Sequence, residues 1–452
     1  MSPTDYQSLT IVIPTRNRSD LAINAIRSVL EQPDCEIILL VSDNSTSAEE
    51  RTKLSEFCRQ LQGKHLHYLT PPEPLSMSRH WDWAMGQALA RNNCSHVGFL
   101  TDRMMFKPEV LSSLEAILRA YPDKLLSYMH DEVDDFASPV LVRQLPWTGN
   151  LYKVDAAHLL KLSSQSVMYD SSVPRMLNCI VPRAILEAIR QRFGNIFDSI
   201  SPDWNFAYRA LDTVDWILFH DRAALVHYAQ NRSNGQSVHY GITNQSNAEF
   251  TEDLGTTLQN FAAPFPEIIT VWNAIINEYC YTKEATQSAK FPDLDMEKYM
   301  AALATGIDCM KDPKRQQYMR GLLAARGWIA PEVQAASPIP EAAPGDRVAR
   351  RVFPSPRRVA SYVSRLLRPT RAEADTRGPE ESENDELQAE KFFVNRLESQ
   401  NVEAALTYAL THPRRKALLS DHETLIQGIR IPLPEESQPP ISRALDRKVR
   451  AS

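Results

Sequence analysis

No apolar run in the 452 residues approaches the roughly 20 needed to span a bilayer, so no membrane-crossing segment is expected. Cys35, Cys58, Cys94, Cys179, Cys280 and Cys309 lie far apart, with no CxxC pair and no metal-finger spacing. They read as reduced, mostly buried thiols of a cytosolic protein. A strong net charge is also missing: the formal value of −6 gives no overall case for nucleic-acid binding. No Walker or GxGxxG phosphate loop occurs, and no internal repeat. Met1 to Ser8 is polar and runs directly into a strand, so no signal peptide is expected.

What is present is the grammar of an α/β protein, in a chain too long for one ordinary domain. Leu9 to Pro14 is a β-branched run closed by proline, the pattern of a buried strand. Thr15-Arg16-Asn17-Arg18 then makes a polar loop, Ser19 can cap a helix, and Ala22, Ala25, Ile26, Val29 and Leu30 follow at helical spacing. Glu36 to Val41 is a second buried strand that ends on Ser42-Asp43-Asn44-Ser45. This βαβ order implies a parallel sheet. A helix over 48–61, a short strand over 65–69 and a helix over 76–91 lead to the apolar run Val97 to Leu100. That run stops at Thr101-Asp102-Arg103, an acid and a base together at a strand end. Ligands gather outside the carboxyl ends of strands in open α/β sheets, so Asp43 and Asp102 fall on one candidate edge. The plainer alternative for Asp102-Arg103 is a surface turn with a local ion pair.

Farther on, a helix over 110–120 and a strand over 125–129 precede Asp131-Glu132-Val133-Asp134-Asp135, which reads as a solvated turn before it reads as a cation site. Long loops are expected from Trp147 to Val173. Asn178 to Pro182 and a helix over 183–193 restore order. Pro202-Asp203-Trp204 opens another helix, with Pro202 in the first turn and Asp203 either a dipole-favoured start residue or a functional acid. His227 ends the strand 223–228 where it enters a polar loop, and it can reach a phosphate or a metal from there. Residues 251–328 read as helical, with Ile268, Val271, Trp272, Ile275 and Ile276 as a packing stripe. Beyond Ala330 the composition turns to proline, alanine and blocks of charge, as in a linker. Within it Arg357 to Arg368 forms a basic amphipathic pattern, suited to an anionic membrane surface or to docking on protein.

Thr10-Ile11-Val12-Ile13-Pro14-Thr15-Arg16-Asn17-Arg18, then Val41-Ser42-Asp43-Asn44-Ser45, then Phe99-Leu100-Thr101-Asp102, then Pro202-Asp203-Trp204 together resemble the family 2 glycosyltransferases, inverting enzymes of the GT-A fold. The resemblance covers about residues 8–240. It implies that Pro14, Thr15 and Arg18 line the donor pocket and that Asp43 hydrogen-bonds the nucleotide, most often uracil or its ribose. It implies that Asp102 takes the first place of the D-x-D region and Asp203 that of the catalytic base, with His227 near a further donor ligand. Such chemistry needs a carboxylate to take the attacking hydroxyl's proton and positive charge to stabilise the departing diphosphate.

Relatives follow the first acid with more aspartates that hold Mg²⁺ or Mn²⁺, whereas this chain has Arg103 and Met104, leaving Asp102 as its one metal-binding carboxylate there. A guanidinium repels a cation but binds phosphate bidentately, so Arg103, helped by His227 or Arg232, is expected to replace the metal. The expected architecture is a GT-A-like, mainly parallel mixed sheet flanked by helices over 1–250, a helical extension over 251–330, a disordered linker over 331–390 holding the basic helix 357–368, and a small helical tail over 391–452. The expected function is transfer of a hexose from a nucleotide-sugar, uridine-linked, to a glycan or lipid-linked acceptor on the cytoplasmic side of a membrane. An inactive binding or scaffold module on the same fold is the alternative.

Overall fold

The computed structural model describes residues 8–32, 37–61, 63, 65–91, 94–136, 138–144, 147–167, 172–240, 261–328, 395–399, 401–411 and 427–434. β1 (Leu9–Thr15) and β2 (Ile37–Asp43) are buried along their whole length, as β-branched strands covered on both faces must be. Between them α1 (Ser19–Leu30) turns Leu21, Ala22, Ala25, Ile26 and Val29 inward. Ser19 is the first helical residue rather than the cap, and its N–H donates to Glu50 Oε2 at 2.7 Å. α2 (Ala48–Gln60), β3 (Leu66–Leu69), α3 (Met77–Leu89) and β4 (His96–Phe99) complete the first half.

The second half contributes β5 (Met104–Phe106), α4 (Val110–Ala120), β6 (Leu126–Asp134), β7 (Val140–Gln144), β8 (Leu151–Asp155), α5 (Ala156–Ser164), β9 (Cys179–Pro182), α6 (Arg183–Phe193), α7 (Pro202–Thr213), β10 (Trp216–His227) and α8 (Asn234–Tyr240). After them come α9 (Val271–Thr286), α10 (Met296–Asp308), α11 (Pro313–Ala325), β11 (Asn395–Ser399), α12 (Val402–Thr411) and β12 (Ile429–Ile431).

All these strands join one mixed sheet, whose main path is β12-β8-β10-β6-β9-β4-β1-β2-β3. β3, β2, β1 and β4 run parallel, as do β6 and β10, and β9 lies antiparallel between β4 and β6. The parallel register sets Thr15 opposite Asp43 at the carboxyl ends of β1 and β2. β4 pairs with β1 at Gly98, opposite Ile11, and a Cβ added there would lie 2.9 Å from Ile11 Cδ1, so a larger residue makes that side chain shift.

Three further expectations are corrected. The stretch 147–173 is not all loop: it contains β8 and α5, and Asp155 caps α5 by accepting from the His158 N–H at 2.7 Å. Asp131 to Asp134 is no solvated turn but the end of β6, with Asp131 and Asp134 buried and ion-paired to Lys107 and Arg143. Buried partners, invisible in a local run of acids, decide that. The tail is not simply helical, because β11 pairs antiparallel with β7 and β12 with β8. Free sheet edges offer unpaired backbone groups to whatever segment arrives, whatever its own propensity. The amphipathic stretch 357–368 lies outside the described residues.

Ile268, just before α9, joins Ile276, Tyr299, Leu303, Ile307, Met319 and Leu323 of α9 to α11 in a second core. Ile268, Ile275 and Ile276 of the expected stripe are buried, while Val271 and Trp272 are partly exposed. α9 leans on α7, where Tyr279 meets Tyr208 edge to face with ring centroids 5.4 Å apart.

Candidate active site

Three neighbouring strands deliver the site. Pro14 and Thr15 end β1, Asp43 ends β2, and Asp102 follows β4 in the turn that leads to β5. Thr15 Oγ1 donates to Asp102 Oδ2 at 2.9 Å, and Arg18 Nη1 reaches Asp102 Oδ1 at 3.4 Å. Thr15, Arg18 and Asp102 are therefore one bonded group. Asp102 is 3% exposed, and both its oxygens are engaged.

Asp43 is 0% exposed; its Oδ1 accepts from the Ser45 N–H at 2.9 Å and its Oδ2 from the Tyr68 hydroxyl at 2.6 Å. Burial and this acceptor both hold the Tyr68 phenol protonated, raising it well above its ordinary range. Next to it, Asn44 binds Leu75 through both ends of its amide, donating to the carbonyl at 2.7 Å and accepting from the N–H at 2.9 Å. Arg16 adds a bond to the same Leu75 carbonyl at 3.3 Å. Neither Tyr68 nor Leu75 stood out in the sequence, because nothing local marks a residue that closes a pocket from another strand.

Arg103 is the centre of the other side. Its Nη1 donates to His227 Nε2 at 2.9 Å, and its carbonyl accepts from the Tyr228 N–H at 3.0 Å. A guanidinium can only donate, so His227 Nε2 is the acceptor and the imidazole is neutral, with its proton on Nδ1. Burial, then the charges of Arg103, His130 and Arg175, push His227 far below its ordinary range, in agreement with that tautomer. His227 is thus a support for Arg103. Burial and the neighbouring Arg18 lower Arg103 to about 10, opposed by the carboxylates of Asp102, Asp135 and Asp203, so it stays cationic at neutral pH. Asp203 stands in the first turn of α7 behind Pro202, and its charge acts on Arg103 across the site. Asp135 was not foreseen as part of it; it also accepts from the Asn231 N–H at 3.0 Å. Arg232 lies at the rim, with Nη1 3.0 Å from each oxygen of Asp20.

The residues present do not fit a divalent cation. Asp102 has both oxygens committed and two guanidinia beside it, and a hard cation wants several free oxygens. Among the described residues no three His, Cys, Asp or Glu side chains converge as metal ligands elsewhere.

An acid on β4's end, an anchored arginine and a buried acid on β2's end make an edge suited to a nucleotide diphosphate. Residues 10–140 match the family described as Glycosyl transferase family 2. The matched segment runs from the second residue of β1 through β6 to the first residue of β7 in the mixed, mainly parallel sheet. The family 2 segment contains Pro14, Thr15, Arg18, Asp43, Asp102 and Arg103; Asp203 and His227 lie beyond it. The crystal structure of S. aureus TarS 1–349 in complex with UDP-GlcNAc is 14% identical and covers 70% of this chain and 88% of its own, with a TM-score of 0.40. The crystal structure of S. aureus TarS is likewise 14% identical, covering 70% of this chain and 53% of that one, with a TM-score of 0.37. Likeness at that level carries nothing about what this chain binds. No curated protein matches the chain.

Proposed function

We propose that this protein is an inverting glycosyltransferase that moves a hexose from a nucleotide-sugar, uridine-linked, to a hydroxyl of a glycan or lipid-linked acceptor. The observation that carries the reading is Arg103: a cation fixed by neutral His227 at the strand end, with the charge of Asp203 acting on it. In the step, Asp203 takes the proton of the acceptor hydroxyl while its oxygen attacks the anomeric carbon. The bond from that carbon to the diphosphate breaks, and the nucleoside diphosphate leaves with the electron pair, its charge met by Arg103. A preorganised arginine does this without reorganising during the reaction, and its paired N–H groups match phosphate oxygens. Pro14, Thr15 and Arg18 border the donor, and Asp102 fixes Arg18. A base reaches the buried Asp43 once a neighbouring group moves aside, the carboxylate having acceptor capacity beyond Ser45 and Tyr68.

Titration calorimetry with UDP, GDP, CDP and dTDP, in excess EDTA and then with Mn²⁺, tests this. Metal-free binding of one nucleotide is expected, weakened about 10- to 100-fold in Arg103→Ala, the range of a hydrogen bond to a charged group. Asp203→Asn is expected to keep that binding and to lose transfer by a factor of about 10² or more. Binding that EDTA abolishes and Mn²⁺ restores would refute the arginine's role. No nucleotide bound under any condition turns the reading to a scaffold on the same fold.

A further inference from the structure

A cleft of about 520 Å³ opens beside this site, between α3 and the carboxyl end of α6, with the segment 195–198 as its far wall. That size is within the range of small-ligand pockets, about 300–1,000 Å³. Leu75 lines it, the same residue whose backbone binds Asn44 and Arg16, so the cleft starts where the donor side of the site ends. Its far wall leads within a few residues to Asp203.

The lining has an uneven balance of charge. Asp82 spends Oδ1 on the Ile196 and Phe197 N–H groups, at 2.6 and 3.3 Å. Asp198 accepts from the Tyr281 hydroxyl at 3.1 Å and pairs with Arg209 at 3.5 Å. Arg79 and Arg190 are exposed at the cleft, and neither guanidinium has a hydrogen-bond or ionic partner among the described residues. Each acid has partners on at least one oxygen, whereas neither cation has one among the described residues. Trp83, half-buried, adds an aromatic face, and at Gly86 an added Cβ would meet nothing within 4 Å, so the missing side chain leaves the space open.

We propose that this cleft binds an anionic saccharide: the apolar face of a sugar ring lies on Trp83, and a phosphate or carboxylate on the chain engages Arg79 and Arg190. An aromatic face with uncommitted guanidinia suits that combination and leaves a neutral sugar with half the interactions. Resting on the transferase reading, the cleft is the acceptor's subsite, guiding its hydroxyl toward Asp203.

Saturation-transfer NMR on the full chain tests it with maltopentaose, maltopentaose bearing a 6-phosphate, and a galacturonate pentamer. At least one anionic probe is expected to bind tenfold or more tighter than maltopentaose, and whichever anion is preferred names the acceptor's charge. Arg79→Gln with Arg190→Gln, both exposed and so harmless to the core, should bring the anionic probe down to the neutral level. Gly86→Leu should abolish binding of every probe, with Gly86→Ala weakening it in a helix that alanine favours. All these variants should keep nucleotide affinity within about twofold. No anionic probe bound, equal binding of the neutral chain, or indifference to Gly86→Leu would overturn the cleft. Failure of nucleotide binding in the unaltered chain strikes the transferase reading instead, and the saccharide results still stand or fall on their own.

Discussion

Glu278 shows how a single side chain ties the appended helices to the site. It projects from α9 to the start of α7, where Oε1 accepts from the Ser201 N–H at 3.1 Å and Oε2 from Asn205 Nδ2 at 3.0 Å. Burial raises it to about 8, against the lowering effect of the hydrogen bonds from Ser199, Ser201, Asn205 and Asn277. Asn205 Oδ1 is buried without a partner, and a protonated Glu278 can donate to it once the amide is turned. From the ordinary carboxyl range up to about 8 the folded chain keeps a proton that the unfolded chain has released. The unfolded state therefore binds fewer protons, and stability falls as pH rises through that window and levels off above it. In Glu278→Gln the amide can bond Ser201 and Asn205 without ionising, so denaturant unfolding between pH 5 and 8 is expected to lose this slope. A slope unchanged by the substitution would show that the proton resides elsewhere. Arg103 stood out in the sequence because it departs from the aspartates the resemblance leads one to expect, and Asp203 because it opens a helix behind Pro202; Glu278 did not, since a glutamate in a helix looks like any exposed one until α7 closes over it.

At the scale of elements, the β1–β4 contact holds Asp102 against Thr15. Gly98 leaves room for the Ile11 side chain: an added Cβ would lie 2.9 Å from Ile11 Cδ1 and 3.4 Å from Ile180 Cγ1. Gly98→Val is expected to cost about 1–3 kcal/mol, the usual range for overpacking a core. Adding Ile11→Val should recover part of it, a coupling that urea unfolding of both single variants and the double variant measures. Full additivity would mean the two side chains do not compete. The strands and helices of this half followed from hydrophobic period alone, because each buries its own apolar face. β8 escaped because Leu151, Tyr152 and Val154 sit among polar neighbours, and it is the β10 edge that makes a strand of them.

For the whole molecule, chain order and spatial order part company at the tail. β11 extends the sheet beside β7, and α12 sets Ala405 and Ala409 on Val133, Val142, Val226 and Tyr228, the residue after His227. α12 thus packs against β6, β7 and the end of β10, whose last residue is His227. Ala405→Asp with Ala409→Asp places unpaired charges in that contact and is expected to detach α12 while the main sheet stays folded. Amide hydrogen exchange reads it directly: 140–144 should lose protection on the β11 side, with β1, β2 and β4 unchanged. Unaltered protection in 140–144 would mean that β11 holds without its helix.

The sequence by itself determined the parallel half of the sheet, the acids at its strand ends and the exchange of aspartate for arginine after Asp102, since period and residue type are local properties. Tertiary structure alone decided that His227 is a neutral support for Arg103, that Asp43 is sealed by Tyr68, that the acids of β6 are buried in pairs, and that the tail returns as a strand. Each depends on a partner far away in the chain, and burial beside that partner changes what a side chain can donate, accept or ionise.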